Sequence, residues 1–169
     1  IFDHYNRARP GAIAEEHFVK SRRAGPPVIA MVNAVFGRGS VIAGLFPGEA
    51  AGALRRLLFE QEGFRGNAED YYDPRNSFLN DVLDRRLGIP ITLSVVYIDV
   101  AAGAGVTVRG VGLPGHFVAR LERHGATRFL DPFNGGVVLT ETDCRVLVER
   151  VQGQAASLDP AWLRPIGTR

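Results

Sequence analysis

From Pro90 to Ala102 the chain reads PITLSVVYIDVAA, and Asp99 is its only charge. Proline suits the first position of a helix, where its missing N–H costs nothing. Gly103 and Gly105 stand where the run should stop. The β-branched content makes a strand conceivable, but a dozen residues favours a helix. A helix that is apolar around its whole circumference has to be buried. The rest of the chain must therefore wall it in.

The walls before and after it differ in period. Before it, Pro47-Gly48 starts a helix with Leu54, Leu57 and Leu58 at i, i+3, i+4, ended by Gly63. Gly66 to Pro74 is a loop by its turn residues. Asn76 or Ser77 can cap a second helix with Leu79, Val82 and Leu83 on one face and Gly88 as its stop. After it, Val106–Gly112, His116–Glu122 and Thr127–Phe133 alternate as strands, with Arg123–Ala126 as a hairpin turn. Thr140 and Asp143 form a capping box for a last helix that carries Cys144, Leu147, Val148 and Val151 on one face. The following tail is loop-like, with Trp162 docking back. Helices first and an antiparallel meander after them predict an α+β fold.

A chain of 169 residues suffices for one domain with a real core. We divide it into an N-terminal segment (1–47), a core (48–152) and a tail (153–169). The net charge of +2 is too small to imply nucleic-acid binding. Cys144 is the only cysteine, which excludes an internal disulfide and a zinc-thiolate site and fits a reducing compartment, the cytoplasm. The apolar stretch Pro26–Phe46 holds Asn33, Arg38, two prolines and three glycines, so no membrane span is expected.

Three short strings concentrate the chemistry: DPRNSFLN from Asp73, GLPGHF from Gly112 and DPFNGG from Asp131. If Glu122 faces Thr127 in the hairpin, Val118 faces Asp131 and His116 lies diagonal to it on the same sheet face. Such neighbours have Cβ atoms within roughly 7–8 Å, within reach of a His and an Asp. Asp131 could then orient the His116 ring, as the carboxylate of a catalytic triad does. A nucleophile would come from the buried helix, whose N-terminal dipole favours an anion.

Residues from about Leu54 to Leu139 resemble the SirB-type transglutaminase-like family, a branch of the transglutaminase/papain-like superfamily. The resemblance rests on NSFLNDVLDRRLGIPITLSVVYIDVA, GVGLPGHFVARLE and FLDPFNGG. It implies a papain-like core with Cys at the start of the central helix, followed by His and Asp on successive strands. His116 and Asp131 match the last two. The Cys position falls at or near Thr92, with Ser94 as the other candidate; both are hydroxyls, so the family's nucleophile is absent here. A helix dipole is worth about 1–2 kcal/mol at best. That can favour a thiolate but cannot make an alkoxide at neutral pH; a hydroxyl would need His116 as a general base in contact with it. The family's domain is often joined to helical repeats, which implies a protein-interaction context and a chain that is the front part of a longer protein.

Two functions follow. The first is a non-catalytic relative that keeps the cleft for binding or scaffolding, with a protein or peptide partner, no nucleic acid and no membrane. The second is a hydrolase or acyltransferase on amide or ester bonds, with Thr92 or Ser94 attacking, His116 moving the proton and Asp131 orienting His116. A DNA-associated regulator is a weaker third. No cofactor and no metal are expected: Gly110, Gly112 and Gly115 spell G-x-G-x-x-G, but a strand rather than a helix follows. Cys144 reads as core, Asn134-Gly135-Gly136 as a turn, and Asn76 and Asn80 as residues that could pin the loop to the site.

Overall fold

The computed structural model describes residues 47–153 and 158–166. The N-terminal segment, Pro26–Phe46 included, lies outside the described residues.

Helix α1 (Pro47–Arg55) runs on into a wider π-helical turn, Arg56–Gln61. Leu54, Leu57 and Leu58 are buried, as their spacing predicts. Two-residue strands β1 (Arg65–Gly66) and β2 (Leu87–Gly88) pair in parallel on either side of a loop, a 3-10 turn (Pro74–Ser77) and helix α2 (Leu79–Arg85). The residue that ends α2 in a left-handed conformation is Arg86, not Gly88. Gly88 is small for another reason: a Cβ there would lie 2.8 Å from the Thr92 hydroxyl.

Helix α3 spans Pro90–Gly103, with Pro90 in its first turn. Leu93, Val96, Tyr97, Val100 and Ala101 are buried, but Ile91 and Val95 are exposed. Burial all round therefore holds for most of its circumference and fails on one stripe.

Strands β3 (Val108–Leu113), β4 (His116–Arg123), β5 (Ala126–Asp131) and β6 (Val137–Leu139) form an antiparallel meander. Glu122 pairs with Thr127, and the β4–β5 turn places His124 and Gly125 both at positive φ, the geometry of a type I′ hairpin. β6 was not visible in the sequence: three residues after a double glycine carry too little alternation to count as a strand. Helix α4 (Glu141–Gln152) begins with the expected capping box, Thr140 and Asp143 bonding reciprocally.

The sheet has a core on each face. Leu54, Leu58, Tyr97, Ala119, Leu121 and Leu130 join α1 and α3 to one face. Val111, Val118, Phe129, Cys144, Val148 and Leu163 join α4 and the 3-10 turn Pro160–Leu163 to the other, with Trp162 packed at its margin. That turn is tied down by Arg120, which donates to the Leu163 carbonyl at 2.8 Å. Cys144 is fully buried in this second core. The α+β expectation matches this architecture.

Candidate functional site

His116 opens β4 and Asp131 closes β5, so the hairpin register sets them diagonally across one end of the sheet. His116 Nε2 lies 2.9 Å from Asp131 Oδ2. The carboxyl side chain is 1% exposed and the imidazole 12%. Four donors converge on the carboxylate. Oδ1 accepts from the backbone N–H groups of Phe133 and Asn134 at 3.1 and 3.3 Å. Oδ2 accepts from Asn134 Nδ2 at 2.7 Å besides His116.

Burial pushes the Asp131 carboxyl up, but hydrogen bonds from His116 and Asn134 outweigh it and hold it below the usual carboxylate range. An ionised carboxylate only accepts, so Nε2 of His116 carries the proton. Nδ1 has no hydrogen-bond partner among the described residues. In the neutral ring it is the basic nitrogen.

The turn that carries Asp131 is seated by close packing. Phe133 lies so near Gly66 that a Cβ on that glycine would come within 2.6 Å of its ring. Phe133 also meets His116 edge to face at 6.3 Å, and Tyr71 at 5.9 Å.

The N-terminus of α3 has a different build. Thr92 Oγ1 accepts the Ile89 N–H at 3.1 Å and donates to the Asn76 carbonyl at 2.8 Å. Its single proton and its position are both committed to capping, and the residue is 7% exposed. Asn76 in turn donates to the carbonyls of Asp70 and Tyr71 and accepts from Asn67 Nδ2. The loop Gly66–Pro74 is thereby stapled to the helix start. Ser94 is 0% exposed, and its hydroxyl has no partner among the described residues. Tyr97, one turn on, is also buried with an unpartnered hydroxyl, which burial pushes up. Among the described residues no hydrogen bond joins His116 to Thr92 or to Ser94.

The structure thus joins His116 to Asp131 and leaves Thr92 and Ser94 outside that pair. Asn134, which the sequence marks only as a turn residue, enters the site together with Asn67 and Phe133. Asn134 had a readable signal, an Asn three residues after a turn-forming Asp. Asn67 and Phe133 had none, because their roles rest on contacts with distant segments. Asn80 is exposed at the surface.

Cys144 is fully buried and has no hydrogen bond to His116 among the described residues. Burial, then the charges of Asp143, Glu141 and Asp131, push its thiol up to about 11. No group of three or more His, Cys, Asp or Glu among the described residues could hold a metal ion. No helix among them is long and apolar enough to cross a membrane. Two surface recesses, of about 550 and 490 Å³, lie beside β3 and beside β6 and include neither His116 nor Asp131.

A helix-flanked antiparallel sheet with a His–Asp pair on adjacent strands defines a class, and sequence comparison agrees with it. The family model for the transglutaminase-like superfamily matches residues 21–169, so this chain belongs to that superfamily. A UPF0162 protein of Xylella fastidiosa (strain 9a5c) is 49% identical over 100 residues, covering 59% of this chain and 34% of the relative. A UPF0162 protein of Vibrio cholerae is 35% identical over 115 residues, 68% of this chain and 42% of the relative. F-box only protein 21 of Mus musculus is 38% identical over 104 residues, 57% of this chain and 17% of that protein. The match thus spans about a third of the length of the first of these relatives. No solved structure matches the chain.

Proposed function

We propose that this chain is a SirB-type transglutaminase-like domain without catalytic activity, which keeps its His116–Asp131 pair as part of a surface that binds a protein or peptide in the cytoplasm. One observation carries the reading: both hydroxyls at the position of the missing nucleophile are removed from chemistry, Thr92 by capping and Ser94 by burial. A serine or threonine becomes a nucleophile only when a base takes its proton. The base present, His116, has no hydrogen bond to either. A segment similar to this one also occurs within much longer proteins, bacterial and mammalian, which fits a module used in combination.

The hydrolase reading keeps one argument in its favour, the ordered His116–Asp131 pair. The two readings separate in a turnover assay with p-nitrophenyl acetate and a glutamine-containing peptide. We expect the wild type and His116→Ala to match the background rate with both substrates. Turnover that disappears in His116→Ala while the fold persists by circular dichroism would overturn the proposal. Thr92→Val and Ser94→Ala would then identify the hydroxyl.

A further inference from the structure

A row of rings leads from the His–Asp pair to the surface. His116 meets Phe133 at 6.3 Å, Phe133 meets Tyr71 at 5.9 Å, and Tyr71 meets Tyr72 at 5.3 Å, each edge to face. Tyr71 is 39% exposed and Tyr72 91%. An aromatic side chain so fully exposed gains nothing from the fold, since it buries almost no area. Its loop is nonetheless rigidly held, through the Asn67–Asn76 bond and the Thr92–Asn76 bond. A surface ordered in advance loses little entropy when it binds.

Acidic residues adjoin the rings in sequence. Glu69 and Asp70 directly precede Tyr71, both are exposed, and neither forms an ion pair among the described residues. Asp73 is already neutralised by Arg75 and Arg85 at 2.9 and 3.0 Å. Arg75 stands among these acids, but its guanidinium is held by Asp73. Open aromatic faces beside free carboxylates suit a guanidinium, which stacks on a ring while its fork donates to a carboxylate. An ammonium lacks both the plane and the fork.

We propose that the loop carrying Glu69, Asp70, Tyr71 and Tyr72 docks an arginine-bearing peptide segment of a partner protein, with the aromatic row leading it toward His116. This rests on the binding reading above and names the chemistry of its ligand. The test is fluorescence anisotropy of the full chain with fluorescein-labelled tetra-arginine, tetra-lysine and tetra-glutamate peptides. Tetra-arginine should bind saturably, tetra-lysine several-fold more weakly, and tetra-glutamate not at all. Tyr72→Ala should weaken tetra-arginine binding at least about five-fold, and Tyr72→Phe should preserve it. Glu69→Gln with Asp70→Asn should weaken it and flatten its salt dependence.

Equal binding of tetra-lysine and tetra-arginine with no effect of Tyr72→Ala would overturn the proposal, as charge alone would then explain the data. So would the absence of saturable binding up to about 1 mM peptide. Concentration-dependent self-association abolished by Tyr72→Ala, with no peptide binding, would assign the surface to a second copy instead. Turnover dependent on His116 together with intact tetra-arginine binding would remove only the non-catalytic reading.

Discussion

The sheet end that holds His116 and Asp131 and the N-terminus of α3 are built by opposite rules. At the sheet end the polar atoms are turned toward one another, and Nδ1 of His116 is left without a hydrogen-bond partner among the described residues. At the helix start the polar atoms are used up by structure, with Thr92 held between Ile89 and Asn76. On the non-catalytic reading, the difference marks which parts of a triad folding alone can retain. Asp131 closes its own turn through two backbone N–H groups, so folding alone explains its presence. A nucleophile has no such second duty, because it must stay unbonded and reachable.

The sharpest way to break this comparison is to look for a reactive thiol. Cys144, raised to about 11 by burial and nearby acids, should react with iodoacetamide at pH 8 at least about 100-fold more slowly than in the unfolded chain. Mass spectrometry with and without denaturant would show this, and fast native labelling would mean a nucleophile had been overlooked. The next effect is structural. Asp131→Ala strands the part-buried donors that converge on its buried carboxylate and should cost about 2–4 kcal/mol in urea unfolding. A loss below about 1 kcal/mol would show that the turn stands without its carboxylate.

Thr92→Val tests the other side of the comparison. Losing the cap to Ile89 and the tie to Asn76 should cost about 1–2 kcal/mol. A neutral or stabilising substitution would free Thr92 from its structural duty and reopen the catalytic reading.

The smallest effect lies in acid. Asp131 is depressed in the folded chain, so the unfolded chain binds its proton first as pH falls. Stability from this group is therefore complete above the unfolded value of about 4 and is lost as pH drops through the lower folded value. Asp73, held down by hydrogen bonds from Arg75, and Asp143, held down by bonds within the cap, add slope of the same sign. The informative quantity is the difference in unfolding free energy between the wild type and Asp131→Asn across pH 2–5, as an order-of-magnitude window. That difference should shrink toward low pH, and a difference constant across the window would disprove the depressed value.

Much of the fold could be read in advance where one stretch of chain decides the outcome. Pro90 and Gly103 bound α3, Thr140 and Asp143 cap α4, and His124-Gly125 sets the β4–β5 register that brings His116 to Asp131. Other features depended on neighbours far away in sequence. Gly88 looked like a helix stop and is a point of close approach to Thr92. Arg86 takes the left-handed position instead, and the π-helical turn after α1 interrupts a regular Leu pattern without any breaker residue.

What the sequence by itself determined is the set of local decisions: caps, a two-residue turn and apolar periods, each satisfied within a few residues. The hairpin carries one of them as far as the site, because register is a local property with consequences at the strand ends. What only the tertiary structure decided is which polar atoms remain available. Thr92 meets a carbonyl 16 residues away, Ser94 is enclosed by the core, and Phe133 seats on Gly66. A hydroxyl is a cap, a core group or a nucleophile according to the atoms packed against it, and packing is a property of the whole fold.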